Sequence, residues 1–208
     1  MLRLHDYWRS SAAYRVRIAL ALKGVPYERV AVDLLAGTQG GEANRAVNAQ
    51  GLVPTLVLPD GTALTQSLAI LEWLDSAYPA PALWPADPVA RSKASAAALV
   101  VVADVHPLNN LRVLGALGDR FAADAAAKAD WYRHWVALGF AALEAMAGDG
   151  PYLGGDAPGV ADVCLVPQMF NARRFEVDLD PYPRLVAADA AACALPAFAQ
   201  AHPERVKP

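Results

Sequence analysis

The first 78 residues alternate between strand-like and helix-like patterns, and this order constrains the fold more than any other feature of the sequence. Alternating apolar and polar residues predict strands, and apolar stripes that end at glycine or proline predict helices. In chain order the predicted elements are a strand (Leu2–Asp6), a helix (Ala12–Lys23), a strand (Tyr27–Leu34), a hairpin (Val53–Leu58 and Thr62–Leu64) and a helix capped by Ser67 that runs to Tyr78. A parallel strand–helix–strand unit followed by an antiparallel hairpin predicts a thioredoxin-like domain.

A proline-rich stretch then separates this pattern from a different one. Pro79, Pro81 and Pro85 indicate a linker and therefore a domain boundary. Beyond it the sequence is almost entirely helical, with predicted helices at 88–117, 124–146, 161–170 and 183–194. Pro107 lacks a backbone N–H and is expected to kink the first of these helices. The predicted fold class is α/β plus all-α, with a thioredoxin-like domain over residues 1–80 and an all-helical domain over residues 87–208.

Composition and charge exclude two classes of partner. The chain has 208 residues, of which 55% are hydrophobic, and its formal net charge is -3. These values allow a packed core and give none of the basic excess typical of nucleic-acid binding. The longest apolar run, Ala96–Ala103, is too short to span a bilayer, and Met1–Asp6 lacks the apolar stretch of a signal peptide. We therefore expect no nucleic-acid partner and no membrane partner.

The two cysteines, Cys164 and Cys193, are the only thiols in the chain. They form no Cys-x-x-Cys pair, and alanine-rich helical sequence surrounds both. This context favours buried free thiols over a disulfide or a metal site. Because such cysteine usage fits a reducing compartment, we predict a cytoplasmic protein without a metal site.

Three short motifs place polar groups where an anionic or peptide-like ligand could bind. Ser10 and Ser11, which follow Arg9, lie at the predicted start of the first helix, where hydroxyls and unpaired N–H groups stabilise anions such as a thiolate. Gln66–Ser67 open a second helix in a way that suits a carboxylate. The proline of Val53–Pro54 can be cis and leave the preceding backbone open to an extended peptide ligand. Each motif also has a purely structural explanation, as a helix cap or as a strand-edge proline.

A second candidate group consists of four cationic side chains, Arg9, Arg112, Arg173 and Arg174, with His106 close to Arg112 in the sequence. A guanidinium suits carboxylates because it binds two oxygens at once. Taken singly, each arginine is better explained as a solvated surface residue, and His106 beside Pro107 could bond a carbonyl freed at the kink. Asp162, three residues after Gly159, is expected to be structural, because it lies where a capping-box acid reaches back to the helix start.

Taken together, these motifs resemble those of one known family, the zeta-class glutathione transferases, which are the maleylacetoacetate and maleylpyruvate isomerases. The similar segments follow in order over nearly the whole chain. They are Ser10–Leu20, Val53–Leu56, Gln66–Ile70, Asp104–Leu111, Leu165–Gln168, Asn171–Phe175, Val177–Leu179 and Pro181–Pro183. The resemblance implies the glutathione transferase fold, glutathione as the cofactor and a homodimer.

The resemblance also implies a role for each candidate residue. Ser10 would stabilise the glutathione thiolate, with Ser11 beside it. The remaining glutathione contacts would come from Gln39, Val53 with Pro54, Gln66, Ser67 and, in the helical domain, Asn109. The small acidic substrate would be bound by Arg9, His106, Arg112, Arg174 and its neighbour Arg173.

The sequence departs from the family pattern at one position that bears on the chemistry. Members often have cysteine directly after the two serines, whereas this chain has Ala12. No cysteine precedes Cys164, so the start of the first helix offers no protein thiol. Any thiol nucleophile at this position must come from the ligand.

The activity that the resemblance implies is glutathione-dependent cis–trans isomerisation of a maleyl-type dicarboxylic keto acid. Maleylacetoacetate, from tyrosine and phenylalanine degradation, is the first candidate substrate. Maleylpyruvate, from gentisate breakdown, has the same reacting unit, so the sequence does not separate the two. Glutathione conjugation or dehalogenation of small haloacids would instead consume glutathione. A glutathione-fold binding protein without activity is a third class, against which Ser10, Gln66–Ser67 and Arg112 argue.

Overall fold

A four-stranded sheet with the strand order β2-β1-β3-β4 organises the N-terminal part of the chain. It is present in a computed structural model that describes residues 1–208. The strands are β1 (Leu2–Asp6), β2 (Tyr27–Ala31), β3 (Thr55–Val57) and β4 (Ala63–Thr65). β1 and β2 run parallel, whereas β3 is antiparallel to β1 and to β4. This is the predicted thioredoxin-like arrangement, with β2 and β3 shorter than expected because their pairing with β1 ends at Ala31 and begins at Thr55.

Helix α1 (Ser11–Leu22) forms the core beside this sheet and is buried on almost every side. Its alanines allow neighbouring elements to approach closely, and Ala13, Val16 and Ile18 have no exposed surface. A 3-10 turn (Thr38–Gly40), α2 (Glu42–Val47) and α3 (Ser67–Ala77) complete the N-terminal elements. α3 packs against α1. The chain leaves α1 at Gly24, whose φ of 63° is readily adopted only by glycine.

The last residues of the chain belong to the same compact unit as the sheet. This unit comprises Met1–Ala82 and Ala194–Pro208, and a second unit comprises Leu83–Cys193. Helix α10 (Pro196–Ala201) packs against α1, and α11 (Pro203–Val206) follows it. Two guanidiniums hold this segment, because Arg17 donates to the Ala201 carbonyl at 3.1 Å and Arg29 to the Val206 carbonyl at 2.6 Å. The predicted division placed all of residues 87–208 in the second domain, whereas residues 194–208 belong to the first compact unit. The division of the chain into functional domains stays a prediction.

The second unit is built of helices, as predicted, with a single isolated bridge between Tyr152 and Gly155 outside them. Its helices are α4 (Pro88–Leu99), α5 (His106–Leu108), α6 (Leu111–Phe121), α7 (Ala125–Met146), α8 (Val160–Arg174) and α9 (Pro183–Cys193). α8 is longer than the predicted helix at 161–170. At its start the Asp162 carboxylate accepts the N–H groups of Gly159 at 2.9 Å and Leu153 at 2.7 Å. The structural role predicted for Asp162 is therefore confirmed.

The prediction of one helix over 88–117 is wrong, because the chain is interrupted twice in this region. α4 passes into a π-helical segment, Val100–Val105, and the His106 N–H donates to the Val101 carbonyl five residues back. Pro107 contributes no N–H, and α5 ends after three residues. Asn110 then starts α6 as its N-cap, with its side chain accepting the Arg112 N–H at 3.0 Å.

One helical stretch, Pro88–Phe121, is long and apolar enough to cross a membrane by length and composition alone. It has 34 residues and is therefore much longer than the apolar run Ala96–Ala103. Core helices of soluble proteins pass the same test, so the stretch is weak evidence for a membrane span. The expected absence of a membrane partner stays a prediction.

The contact between the π-helical segment and α7 generates a stability prediction. A Cβ added to Gly139 would overlap the Cγ2 atom of Val105, whereas a Cβ at Gly115 would meet no atom within 4 Å. We expect Gly139→Ala to lower the free energy of unfolding by about 1–3 kcal/mol through overpacking. Gly115→Ala, the matched control in α6, is expected to raise it by up to about 1 kcal/mol through helix propensity. Urea unfolding measures both changes in the free energy of unfolding. Equal stabilisation by the two substitutions would contradict the close contact between Gly139 and Val105.

Candidate active site

Ser10 lies at the N-terminus of α1 with its hydroxyl hydrogen available for a ligand. It is the N-cap, and its Oγ accepts the Ala13 N–H at 3.2 Å. Its own N–H donates to the Tyr7 carbonyl at 2.8 Å, which fixes the loop that precedes the helix. A serine hydroxyl has one donor hydrogen and two acceptor lone pairs, and the cap uses only an acceptor. Ser10 can therefore cap α1 and donate to an anion at the same time.

The neighbours of Ser10 supply charge but no thiol. Ser11 is buried as the first residue of α1, and Ala12 is half-buried beside it. The guanidinium carbon of Arg9 lies 5.3 Å from the centre of the Trp8 ring. The Lys207 ammonium lies 5.1 Å from the centre of the same ring, so Trp8 makes cation–π contacts with two cations. The start of α1 thus combines a hydroxyl, the positive end of a helix and nearby cations.

Gln66 and Ser67 form the second polar group of the N-terminal unit, at the start of α3. Gln66 is a non-glycine residue with a φ of 66°, a conformation that is uncommon and often found at functional positions. Its Nε2 donates to Gln50 Oε1 at 2.8 Å. The prediction that Ser67 caps this helix is wrong, because Gln66 is the N-cap and the Ser67 Oγ instead accepts from Arg15 Nη1 at 3.1 Å.

Arg15 was not among the predicted site residues. Its side chain is 1% exposed in the middle of α1, yet it reaches the first residue of α3. The only sequence feature that could have indicated it is that Arg15, like Arg17, is a cation within a largely apolar helix. That feature shows burial of a charge but not the identity of its partner.

Gln39 and Val53 are brought together through a shared neighbour, Asn44. The Asn44 Nδ2 donates to the carbonyl of Gln39 at 2.9 Å and to that of Leu52 at 3.2 Å. This amide therefore joins the Gln39 turn to the residue that precedes Val53. The Val53–Pro54 bond is cis, and Val53 lies before the first residue of β3. Gln39 Oε1 is buried and has no hydrogen-bond partner.

In the helical unit, His106, Asn109 and Arg112 lie in and around the break between α5 and α6. His106 is half-buried in α5, and Arg112 is exposed in the first turn of α6. Asn109 lies between the two helices and is 7% exposed. Neither its Oδ1 nor its Nδ2 has a hydrogen-bond partner. A buried carboxamide of this kind normally bonds to protein, water or a ligand.

Arg173 and Arg174 occupy the last turn of α8 but have different surroundings. Arg173 Nη2 pairs with Asp189 Oδ2 at 2.6 Å, and Asp189 is 3% exposed. Arg174 Nη1 donates to Asn171 Oδ1 at 2.9 Å, and its guanidinium carbon lies 5.5 Å from the centre of the Phe175 ring. Arg173 therefore stabilises the contact between α8 and α9, whereas the contacts of Arg174 include a neutral amide and a ring.

The two thiols lie in the helical unit. Cys164 is buried in α8, and Cys193 ends α9. Burial, together with the Asp189 carboxylate, raises the pKa of the Cys193 thiol to about 11. No group of three or more His, Cys, Asp or Glu side chains is arranged to hold a metal ion.

Comparison with known proteins identifies the family. The family model for the glutathione S-transferase N-terminal domain matches residues 9–77, and that for the C-terminal domain matches residues 111–187. The maleylpyruvate isomerase of a Ralstonia species is 47% identical over 97% of both chains. The maleylacetoacetate isomerase of Pseudomonas aeruginosa is 46% identical over 97% of this chain and 96% of its own. This chain belongs to the glutathione S-transferase family.

Solved structures agree with this membership. A holo structure of a maleylpyruvate isomerase, described as a bacterial zeta-class glutathione S-transferase, superposes with a TM-score of 0.96 at 46% identity, over 99% of this chain and 98% of the other. A maleylacetoacetate isomerase from Anaeromyxobacter dehalogenans with bound glutathione gives a TM-score of 0.90 at 46% identity, over 100% and 97% of the two chains. The predicted glutathione transferase fold is thereby confirmed.

The matched ranges divide the candidate residues of this glutathione S-transferase. The N-terminal range contains Arg9, Ser10, Ser11, Gln39, Val53, Pro54, Gln66 and Ser67, and the C-terminal range contains Arg112, Arg173 and Arg174. His106 and Asn109 lie between the two ranges. Their roles therefore depend on the local geometry described above more than on the family match.

The raised pKa of Cys193 generates a prediction about thiol reactivity. Since only the thiolate reacts, a pKa of about 11 leaves Cys193 almost entirely unreactive at pH 8, and Cys164 is buried. In native protein both thiols are expected to react with a disulfide reagent about two orders of magnitude more slowly than in protein unfolded by urea. The rate in native protein should rise as the pH approaches 11, the pKa of Cys193. A native thiol that reacts at the unfolded rate at pH 8 would contradict this account.

Proposed function

We propose that this glutathione S-transferase isomerises a maleyl-type dicarboxylic keto acid with glutathione as its cofactor. Maleylacetoacetate is the proposed substrate, and fumarylacetoacetate the product, as in tyrosine and phenylalanine degradation. The observation that carries the proposal is the Ser10 hydroxyl, which can donate to an anion at the start of α1 where the chain has Ala12 and no cysteine. Relatives at 46% and 48% identity that are named maleylacetoacetate isomerase or probable maleylacetoacetate isomerase support the choice of substrate.

The groups in the N-terminal unit fit glutathione. The N-terminus of α3 at Ser67 suits the γ-glutamyl carboxylate, and Gln66 lies beside it. The buried Gln39 Oε1 has no donor within the protein, and glutathione carries N–H groups that can fill this role. Val53, which lies outside β3, leaves its backbone for an extended peptide-like ligand. Asn109 of the helical unit would supply its unpaired carboxamide.

Ser10 and the α1 N-terminus would hold the sulfur as a thiolate. A free thiol has a pKa near 8.5 and is mostly protonated at neutral pH. A hydrogen bond to a charged group contributes about 1.5–3 kcal/mol, which corresponds to a fall of about one to two pKa units. The Ser10 O–H and the positive helix end would therefore bring the thiol pKa to about 6.5–7.5, so that a large share of the bound thiol is ionised near neutral pH.

Rotation about a carbon–carbon double bond requires that the double bond be lost for a time. Bound glutathione would supply the thiolate that adds to the alkene and is eliminated again after rotation, so that glutathione is regenerated. Arginines of this chain, together with one histidine, would hold the carboxylates and stabilise negative charge that develops on the substrate carbonyl. We assign this role to Arg9, His106, Arg112 and Arg174, with Arg173 as a neighbour that Asp189 holds in place.

Maleylpyruvate is the second candidate substrate. The relative from Ralstonia, named maleylpyruvate isomerase, is as similar to this chain as the relatives named maleylacetoacetate isomerase. Both acids carry the same reacting unit, so parallel assays with the two substrates decide between them. Glutathione conjugation or dehalogenation of haloacids would use the same thiolate but would consume glutathione. A binding protein without activity would convert neither maleylacetoacetate nor maleylpyruvate.

We further propose a cytoplasmic homodimer that has no nucleic-acid partner and no membrane partner. The free thiols support a reducing compartment, and the net charge of -3 argues against nucleic acid. The dimer is supported by the resemblance to the zeta class. The expected partner is thus a small acidic substrate together with a second copy of the chain.

The division of roles generates a kinetic prediction. Arg174→Ala is expected to raise the KM for maleylacetoacetate by about ten- to a hundredfold, the loss expected for a charge-assisted hydrogen bond. The KM for glutathione is expected to change by less than about twofold, since Arg174 is assigned to the acid alone. Arg120→Ala removes another exposed cation, from the last turn of α6, and serves as the control, with both constants close to those of the parent protein.

These assays also test the cofactor. Turnover is expected only when glutathione is present. Activity in the absence of glutathione would overturn the proposed mechanism, and equal increases in both KM values for Arg174→Ala would overturn the role assigned to that residue.

A further inference from the structure

The carbonyl of Leu108, at the end of α5, is held by a side chain from a different helix. The indole Nε1 of Trp131, on α7, donates a hydrogen bond to this carbonyl at 2.9 Å. The next residue along the chain is Asn109, whose buried carboxamide has no partner. An unusual hydrogen bond therefore lies directly before the residue that we assign to glutathione in the helical unit.

The backbone does not offer the donor that would normally fill this position. In a continuous helix the Leu108 carbonyl would accept the N–H of Arg112, four residues on. That N–H instead donates to the Asn110 side chain at 3.0 Å, because Asn110 starts a new helix there. The indole of Trp131 replaces the missing backbone donor.

Helix α7 holds the same segment at a second place. Gly139 leaves room for Val105, the last residue of the π-helical segment, since a Cβ at Gly139 would overlap the Val105 side chain. The Trp131 ring lies beside the Trp135 ring, with centres 5.5 Å apart, an aromatic contact that phenylalanine at either position can keep. Residues 105–108 are thus attached to one face of α7 at both ends.

We propose that Trp131 is a positioning residue that orients Asn109 for its contact with glutathione, an inference that rests on the proposed use of glutathione. The Leu108 carbonyl and the Asn109 N–H belong to one planar peptide unit. A hydrogen bond that fixes the carbonyl therefore also fixes the plane from which the Asn109 side chain extends. The buried, unpaired carboxamide is the group that this arrangement holds ready for a ligand.

The test compares two tryptophan variants by calorimetric titration of glutathione into the full-length protein. Trp131→Phe removes the donor and keeps an aromatic ring, and its Kd for glutathione is expected to rise by about five- to tenfold. Trp135→Phe is the matched control, because the Trp135 Nε1 is buried without a hydrogen-bond partner. Its Kd is expected to stay within about twofold of the parent value. Equal effects of the two variants would overturn the proposal.

A double-mutant cycle separates positioning from general loss of stability. Asn109→Ala alone is expected to weaken glutathione binding, and adding Trp131→Phe is then expected to change the Kd by less than about twofold. A full additional loss in the Asn109→Ala background would show that Trp131 does not act through Asn109. If Trp131→Phe fails to fold, an unchanged Kd for Asn109→Ala alone still overturns the proposal.

Amide hydrogen exchange provides a readout without any ligand. Trp131→Phe is expected to speed amide hydrogen exchange in residues 106–112, whereas Trp135→Phe is not, and uniform changes across α7 would contradict the inference.

Because glutathione binding is measured without turnover, the proposed role of Trp131 and the proposed function can fail separately. Parent protein that binds glutathione but does not isomerise the acid would overturn the proposed function alone, and parent protein that binds no glutathione would overturn both.

Discussion

The buried carboxylate of Asp6 is the interaction on which the N-terminal unit depends. Asp6 is 1% exposed at the end of β1, and its two oxygens accept from Arg17 at 2.6 Å and from Arg29 at 2.8 Å. Burial lowers the pKa of the Arg17 guanidinium, whereas the Asp6 carboxylate raises it. Loss of one partner from such a buried pair typically costs about 3–5 kcal/mol, because the remaining charge is left without a counter-ion.

This cluster also connects elements that are far apart in the sequence. Arg17 donates to the carbonyl of Trp8, in the loop that leads to Ser10, and to that of Ala201 in α10. Arg29 reaches Val206, near the C terminus. The position of the Ser10 loop is therefore set by the same charges that attach the last residues of the chain to the sheet. The surroundings of the start of α1, where we propose that the thiolate binds, are therefore determined by charge pairing as well as by loop packing.

Local patterns predicted the elements that depend on nearby residues. The order of strands and helices in the first 78 residues, the Ser10 cap and the capping role of Asp162 all follow from residues close in sequence, and each agrees with the structure. The division of the helix at 88–117 did not follow, because it depends on the Asn110 side chain and the indole of Trp131 as well as on Pro107. The C-terminal segment did not follow either, since the contact between Arg17 and Ala201 spans 184 residues.

The candidate site shows the same limit. Its residues in the two family ranges could be named from motifs, but adjacent Arg173 and Arg174 could not be separated, because only the fold brings Asp189 to one of them. Arg15 and Trp131 were missed for a similar reason. Each donates a hydrogen bond to a partner that is distant in sequence, 52 residues away for Arg15 and 23 for Trp131. Motifs locate groups that could touch a ligand, whereas the residues that hold those groups in place depend on the tertiary structure.

The central claim is that glutathione acts as a catalyst at a site that has no protein thiol. The most direct test supplies the protein with a small, known amount of glutathione and a large excess of maleylacetoacetate, and follows free thiol and product together. The account predicts complete conversion to the trans acid with the amount of glutathione unchanged. Loss of one glutathione for each product molecule would contradict it and would identify a transferase that consumes its thiol.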